Sequence, residues 1–529
     1  MEYCQGILKK IERPERYTTI LSAAITTVVA TYFIRRAMKN AMKYKSLGIE
    51  EIPSPKGEWF FFGHVPLMGG RLGETVTKWH KELGPIFRVR VGSQNWVFVG
   101  DPLIAHDLLV TKGIDTAGRP KLTFLTEINS PGDRGVIHVN YSKKWKEARN
   151  AILQILSPKS VESLSHILER EAQKAVNIMI EKSKRDQEVD SHVLTNLASM
   201  NLMLSLEFGI PGAASVDEPL FNKMVRFTEQ VFKFSSPQED YSTIFPSLKF
   251  LDFIFKKEKR MIEFRDKEFH PFIREIIQLA RESEEDSLVK KLDEIKYEHH
   301  LDEQSLVSLL SEILVVGTDT TAVATAWAIA ILCLYPEVQK RICEEVDTFI
   351  KKHGRQPMFS DREELPYLIA FEKESIRFRP PLDIGSPHTV LKDVAYKNYI
   401  IPKGHDIVIN IHTLHNDPNL FMEPEKFMPE RFLNDTRSMY ASSNGNIQMR
   451  DHYAFGWGRR ICPGIYLAES QMFHVITKIL AVCTIEPALS PSGEKIYPNL
   501  DEYVDTGVVI APAYTKIRLV EREDRAISQ

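Results

Sequence analysis

The stretch Phe455-Gly-Trp-Gly-Arg-Arg-Ile-Cys-Pro-Gly464 decides how the rest of the chain is read. It satisfies the pattern Phe-x-x-Gly-x-Arg-x-Cys-x-Gly at Phe455, Gly458, Arg460, Cys462 and Gly464. With this chain's own residue frequencies, a chance match somewhere in 529 positions is on the order of one in ten thousand or rarer. Gly456 and Gly458 allow a tight turn and a close approach of backbone to a flat ligand. Pro463 opens a helix predicted to run to about Leu480, at the position where its missing N–H costs nothing. Cys462 is thereby expected at the N-cap, where free N–H groups and the positive end of the helix dipole favour thiolate over thiol. The plain alternative is a buried free cysteine beside a turn.

A thiolate is the axial ligand that pushes electron density into haem iron and promotes O–O cleavage. Phe455 would shield the sulfur, and Arg460 would meet a haem propionate. On these residues the segment resembles the haem-binding loop of the cytochrome P-450 superfamily, the haem-thiolate monooxygenases, with wording similar to fungal and plant members. Glu374-Ser-Ile-Arg377 places a carboxylate and a guanidinium on one helical face, and Pro429-Glu-Arg-Phe432 adds Arg431. Alone, Glu-x-x-Arg is a common surface pair. In this order it resembles the structural triad of the family, which holds the fold around the haem and does none of the chemistry.

Val316-Gly-Thr-Asp-Thr-Thr321 lies in a helix predicted over about 302–334. A mid-helix glycine costs roughly 1 kcal/mol relative to alanine, and threonines can bond back to the preceding turn and bend the helix. Such a local conflict marks a functional site. The resemblance implies that Gly317 opens a groove for dioxygen, that Thr320 hydrogen-bonds the activated oxygen, and that Asp319 feeds protons from solvent. Val316 departs from the family, where Ala or Gly is usual. Trp145-Lys-Glu-Ala-Arg149 is an i, i+4 pair. By resemblance Trp145, Arg149 and His388 reach haem propionates. His412 and His415 form an H-x-x-H that is read as structural, because no third metal ligand stands nearby.

Around these motifs the 529 residues are 43% hydrophobic and 26% charged, with a net charge of −3. That composition excludes disordered and collagen-like classes, and no basic excess points to nucleic acid. The five cysteines (Cys4, Cys333, Cys343, Cys462, Cys483) form no framework and indicate a reducing compartment. The expected fold is mainly α with small β-sheets: a single large P-450-type α+β fold enclosing a haem. Three regions are expected: 1–51 as a membrane-anchor region, 52–58 as a stiff proline hinge, and 59–529 as the monooxygenase domain. The anchor is a transmembrane helix at about 17–34, an uncharged stretch flanked by basic residues at both ends.

The resemblance implies haem b (iron protoporphyrin IX) ligated by Cys462. It also implies NADPH acting indirectly through a cytochrome reductase, and an endoplasmic-reticulum membrane location, single-pass with a cytosolic catalytic body. Lys143, Lys144, Lys146 and Arg459 are suited to an acidic redox partner. The implied reaction activates O2 and hydroxylates or otherwise oxidises a lipophilic small molecule. Its alternatives are a reductase-independent haem-thiolate isomerase or dehydratase and a non-enzymatic haem sensor. By family position the pocket would be lined by 116–133, 309–316, 382–386 and 506–510. Asp383 there would meet either a substrate group or a basic residue of the protein itself.

Overall fold

The structure, a computed structural model, describes residues 49–236, 239–523 and 525–526. The expected span at 17–34 lies outside the described residues. Helix α1 (Leu72–Leu83) leads into an antiparallel hairpin, β1 (Ile86–Val91) and β2 (Gln94–Val99). The helical middle contains α2 (Lys143–Ile155), α3 (Ser165–Asp186), α4 (Ser191–Phe208), α5 (His270–Glu282), α6 (Glu303–Leu334) and α7 (Pro366–Phe378). Short strands β3 (His388–Thr389) and β4 (Asp406–Ile409) precede α8 (Ile465–Val482). Strands β5 (Cys483–Leu489), β6 (Tyr503–Asp505), β7 (Ile510–Pro512) and β8 (Lys516–Glu521) end the chain. This is the mainly helical body with small sheets that the sequence predicts.

Helix α6 is its axis. The Asp302 carboxylate caps it by accepting from Ser305 N at 2.7 Å, and Tyr335, held out of the helical region by Pro336, ends it. Among the described residues it is long and apolar enough to cross a membrane, yet it is a buried core helix. It packs along α4 and also meets α5, α7, α8 and β7. One sheet runs β1-β2-β4-β3, with β2 and β4 parallel and His388 opposite Ile407. That register carries His388 to a buried position beside the helical body.

Residues 49–52 with 393–401 form a small unit of their own, in which Glu50 N donates to Asn398 O at 2.8 Å. Residues 53–392 with those from 402 onward form the other unit.

The Glu374 carboxylate on α7 is fully buried and takes Arg377 Nε and Nη2 at 2.7 Å each, Arg431 Nε at 3.1 Å and Met428 N at 2.9 Å. Arg377 also donates to His415 O at 2.9 Å, and the His415 ring accepts from Tyr453 N at 3.0 Å. Tyr453 stacks on Trp457, ring centroids 5.4 Å apart. The triad thus braces the cysteine loop through one histidine, which gives His415 its structural role. His412 has its own partner, Thr77 Oγ1 at 2.9 Å.

Candidate active site

The loop carrying Cys462 is built tightly. Gly458 has φ +55°, and a Cβ there would lie 2.3 Å from Leu109 O, so glycine is required by a close protein neighbour. Cys462 N donates to Phe455 O at 2.9 Å, closing the turn. Phe455 is half-buried, its ring 5.3 Å from that of His452. Helix α8 begins at Ile465 with Gly464 as N-cap, two residues later than the sequence predicts. Cys462 is therefore outside the helix and not its cap. The half-buried thiol is pushed up by burial, against which the Gly464 N–H and the Arg149 charge favour the thiolate.

Cations converge around this loop. Arg460 donates from Nε to Ala117 O at 3.0 Å and from its Nη atoms to Val136 O at 3.1 Å and Val139 O at 2.7 Å. Arg149, one turn after Trp145 on α2, donates to Ile461 O. Trp145 spends its indole N–H on Val136 O at 2.8 Å. Arg119 donates to Ile137 O at 3.0 Å and Pro387 O at 2.6 Å. Burial and mutual repulsion pull Arg460 down to about 8 and Arg119 to about 10. His388 donates to no carboxylate either: its Nδ1 faces Thr116 O at 3.3 Å, and burial beside Arg119 and Arg460 keeps it neutral. His138, under the same two arginines, is driven down to about 3.

None of Arg119, Arg149 and Arg460 is in an ion pair among the described residues. Asp406 acts on Arg119, the Cys462 sulfur on Arg149 and Glu312 on Arg460, each favouring the charged guanidinium without bonding to it. Three buried guanidiniums without a bound carboxylate, beside a half-buried sulfur, fit a planar cofactor that brings two carboxylates and an iron. Cys462 would hold the iron, and Arg460, Arg149 and Arg119 would hold the carboxylates.

On α6, Val316, Thr320 and Ala324 form a half-buried stripe at helical spacing, with Gly317 half-buried beside it. Thr320 Oγ1 donates to Val316 O at 2.7 Å, the back-bond its sequence predicts. Asp319 is buried, its Oδ2 has no partner, and burial raises its carboxyl to about 6. Gly317 points its missing side chain at Met203 of α4, where a Cβ would come within 2.9 Å. The space it opens is used for helix packing. Asp383, left open by the sequence, is bidentate with Arg71 at 2.5 and 3.1 Å.

Arg119, His138 and Glu312 escaped the sequence reading. Arg119 lies in the 116–133 loop, but no fixed spacing ties it to Cys462. Glu312 did leave a signal, a lone charge in an apolar helical run.

Comparison with known proteins agrees with this geometry. A family model described as Cytochrome P450 matches residues 53–507. Cytochrome P450 monooxygenase 58 of Postia placenta is 28% identical over 453 residues, covering 85% of this chain and 84% of its own. Cytochrome P450 monooxygenase 226 of the same fungus is 26% identical over 96% of this chain and 93% of its own. Cytochrome P450 monooxygenase anuE of Penicillium roqueforti is 29% identical over 80% and 87%. A zebra fish cytochrome P450 solved with progesterone superposes with a TM-score of 0.71 at 22% identity, covering 86% of this chain and all of that one.

Proposed function

This chain belongs to the cytochrome P450 family and is a monooxygenase, and from that premise we propose that it oxidises a lipophilic small molecule with electrons passed from NADPH through a flavoprotein reductase. The observation that carries the reading is the buried arginine cluster around Cys462, which lacks carboxylates of its own. Haem b, when bound, supplies dioxygen activation at its iron and oxidation of an unactivated substrate. The chain's own groups do the rest. Cys462 offers sulfur to the iron, and the arginines hold the carboxylate edge. Asp319, with a free oxygen and a carboxyl raised to about 6, can hold a proton near neutral pH and release it toward the stripe containing Thr320.

Two surfaces support the electron route and the membrane station. Lys146 Nζ and the Arg459 guanidinium lie 4.9 and 5.7 Å from the Tyr141 ring centre, so the basic residues separated in sequence share one exposed patch with Lys143 and Lys144. A second patch is apolar: Phe60 is 99% and Phe253 89% exposed, and Phe61 stacks on Phe245 at 5.2 Å, joining the 59–62 and 245–255 segments. Aromatic surface of this extent suits the interface of the endoplasmic-reticulum membrane in which the 17–34 helix would anchor.

The test is a haem Soret titration of the detergent-solubilised chain with sterols, fatty acids, terpenoids and aromatic drugs. A saturable spin shift with one class names the substrate class. In the reductase-coupled reaction, Thr320→Ala should keep haem and substrate binding while diverting NADPH consumption to peroxide. Full coupling in that variant would remove Thr320 from the mechanism, and turnover independent of NADPH would overturn the reductase route.

A further inference from the structure

A carboxylate in the middle of the apolar helix α6 needs partners, because an unpaired buried charge is strongly unfavourable. Glu312 is buried, and its side-chain hydrogen bonds come from one loop. Oε1 accepts from Ser130 Oγ at 2.8 Å, and Oε2 accepts from Val136 N at 2.8 Å and Ile137 N at 3.0 Å. The loop is shaped to this carboxylate: a Cβ on Gly135 would lie 2.1 Å from Oε1, so only glycine seats there without displacement.

The same loop faces the cations with its carbonyls. Val136 O takes both Trp145 Nε1 and Arg460 Nη1, Val139 O takes Arg460 Nη2, and Ile137 O takes Arg119 Nε. Residues 136–139 therefore form a plate with two N–H groups fixed on Glu312 and its carbonyls fixed on the arginines. Arg460 also feels the Glu312 charge directly, which raises its proton affinity against burial.

We infer that Glu312 is a positioning residue for the haem carboxylates. It anchors the 136–139 plate to α6, and the plate in turn aims Arg460, Arg119 and Trp145. Motion of α6 and the geometry of the carboxylate site are thereby linked through one side chain. The inference rests on the haem reading of this site.

The experiment uses the purified holoenzyme and reads haem release to excess apomyoglobin alongside thermal unfolding. Glu312→Ala and Gly135→Ala should release haem about 10–100-fold faster, the usual effect of removing a group that orients a ligand. Glu312→Gln should stay within about twofold, because its amide oxygen still accepts both backbone N–H groups and its NH2 can donate to Ser130 Oγ. Gln339→Ala serves as the structural control. Gln339 is buried, bonds to Leu332 and Ile485, and touches none of the plate. At a comparable loss of melting temperature, Gln339→Ala should release haem at the wild-type rate.

Release from Glu312→Ala no faster than from Gln339→Ala overturns the inference, and so does release from Glu312→Gln as fast as from Glu312→Ala. Should Glu312→Ala fail to fold, Gly135→Ala decides, and a wild-type rate there overturns it. Haem uptake by the wild-type chain is read first. Its failure would sink the haem reading and this inference together, whereas a failed variant pattern sinks this inference alone.

Discussion

Two clusters of buried arginine lie in this body, and they are completed differently. Arg377 and Arg431 close on the Glu374 carboxylate, with hydrogen bonds of 2.7 to 3.1 Å and no exposure of the acid. Arg119, Arg149 and Arg460 close on backbone carbonyls, with no carboxylate bound. A carbonyl is a neutral acceptor and leaves the charge uncompensated. The consequence is visible in Arg460, brought down to about 8 by burial and two like-charged neighbours. The first cluster is self-sufficient and structural. The second is poised for an anionic group from outside the chain.

The comparison breaks most severely at Glu374. Glu374→Ala leaves two guanidiniums buried without their acid and should cost about 3–5 kcal/mol, read as loss of folded, haem-bearing protein on thermal or urea unfolding. A normal melt would show that the triad is not the closed cluster described here.

Asp319 is the converse of the open cluster, an acid buried without a base. Its raised carboxyl is protonated below about pH 6 and loses its proton as pH rises through that value. Proton-limited turnover should therefore fall as pH rises past about 6, and Asp319→Asn should slow it about 100-fold and remove that inflection. The same shift means that the folded chain holds this proton more tightly than the unfolded one. Its effect on stability is thus most favourable below pH 3.8 and is lost between there and about 6. A pH profile unchanged by the substitution would assign the inflection elsewhere.

Within the open cluster, Arg460→Gln should lower the melting temperature of the haem-free chain far less than Glu374→Ala does, while weakening haem retention about 10–100-fold. Equal losses of stability in the two variants would erase the distinction between the clusters. The smallest effect belongs to the exposed lysines. The double charge reversal Lys144→Glu, Lys146→Glu should slow reduction by a reductase several-fold at low salt, blunt its salt dependence and leave melting unchanged. Rates identical to wild type would reject that patch as the electron-entry face.

Much of the site was legible because its signals are local. Helix α6 carries its own cap at Asp302 and its own stop before Pro336. Glu374 and Arg377 meet through helical geometry alone, and the cysteine loop is a fixed run of ten residues. Its Gly458 allows a close approach, and tertiary packing gives that approach to Leu109 O. The N-cap assigned to Cys462 failed by two residues, since Gly464 starts the helix after a turn that Pro463 does not force. Glu312 reaches its partners across 176 residues, and Arg460 reaches Ala117 across 343. No period or motif encodes such contacts.

The sequence by itself determined the family and the partners of Glu374, because each rests on residues at fixed spacing whose chemistry is specific. Only the tertiary structure decided how the charges are compensated. It tied Asp383 to Arg71, turned Gly317 toward Met203, and fixed Arg119 and Arg460 on the carbonyls of a loop held by Glu312. Burial and neighbouring charge are properties of the packed chain, set by segments that meet only when the core closes.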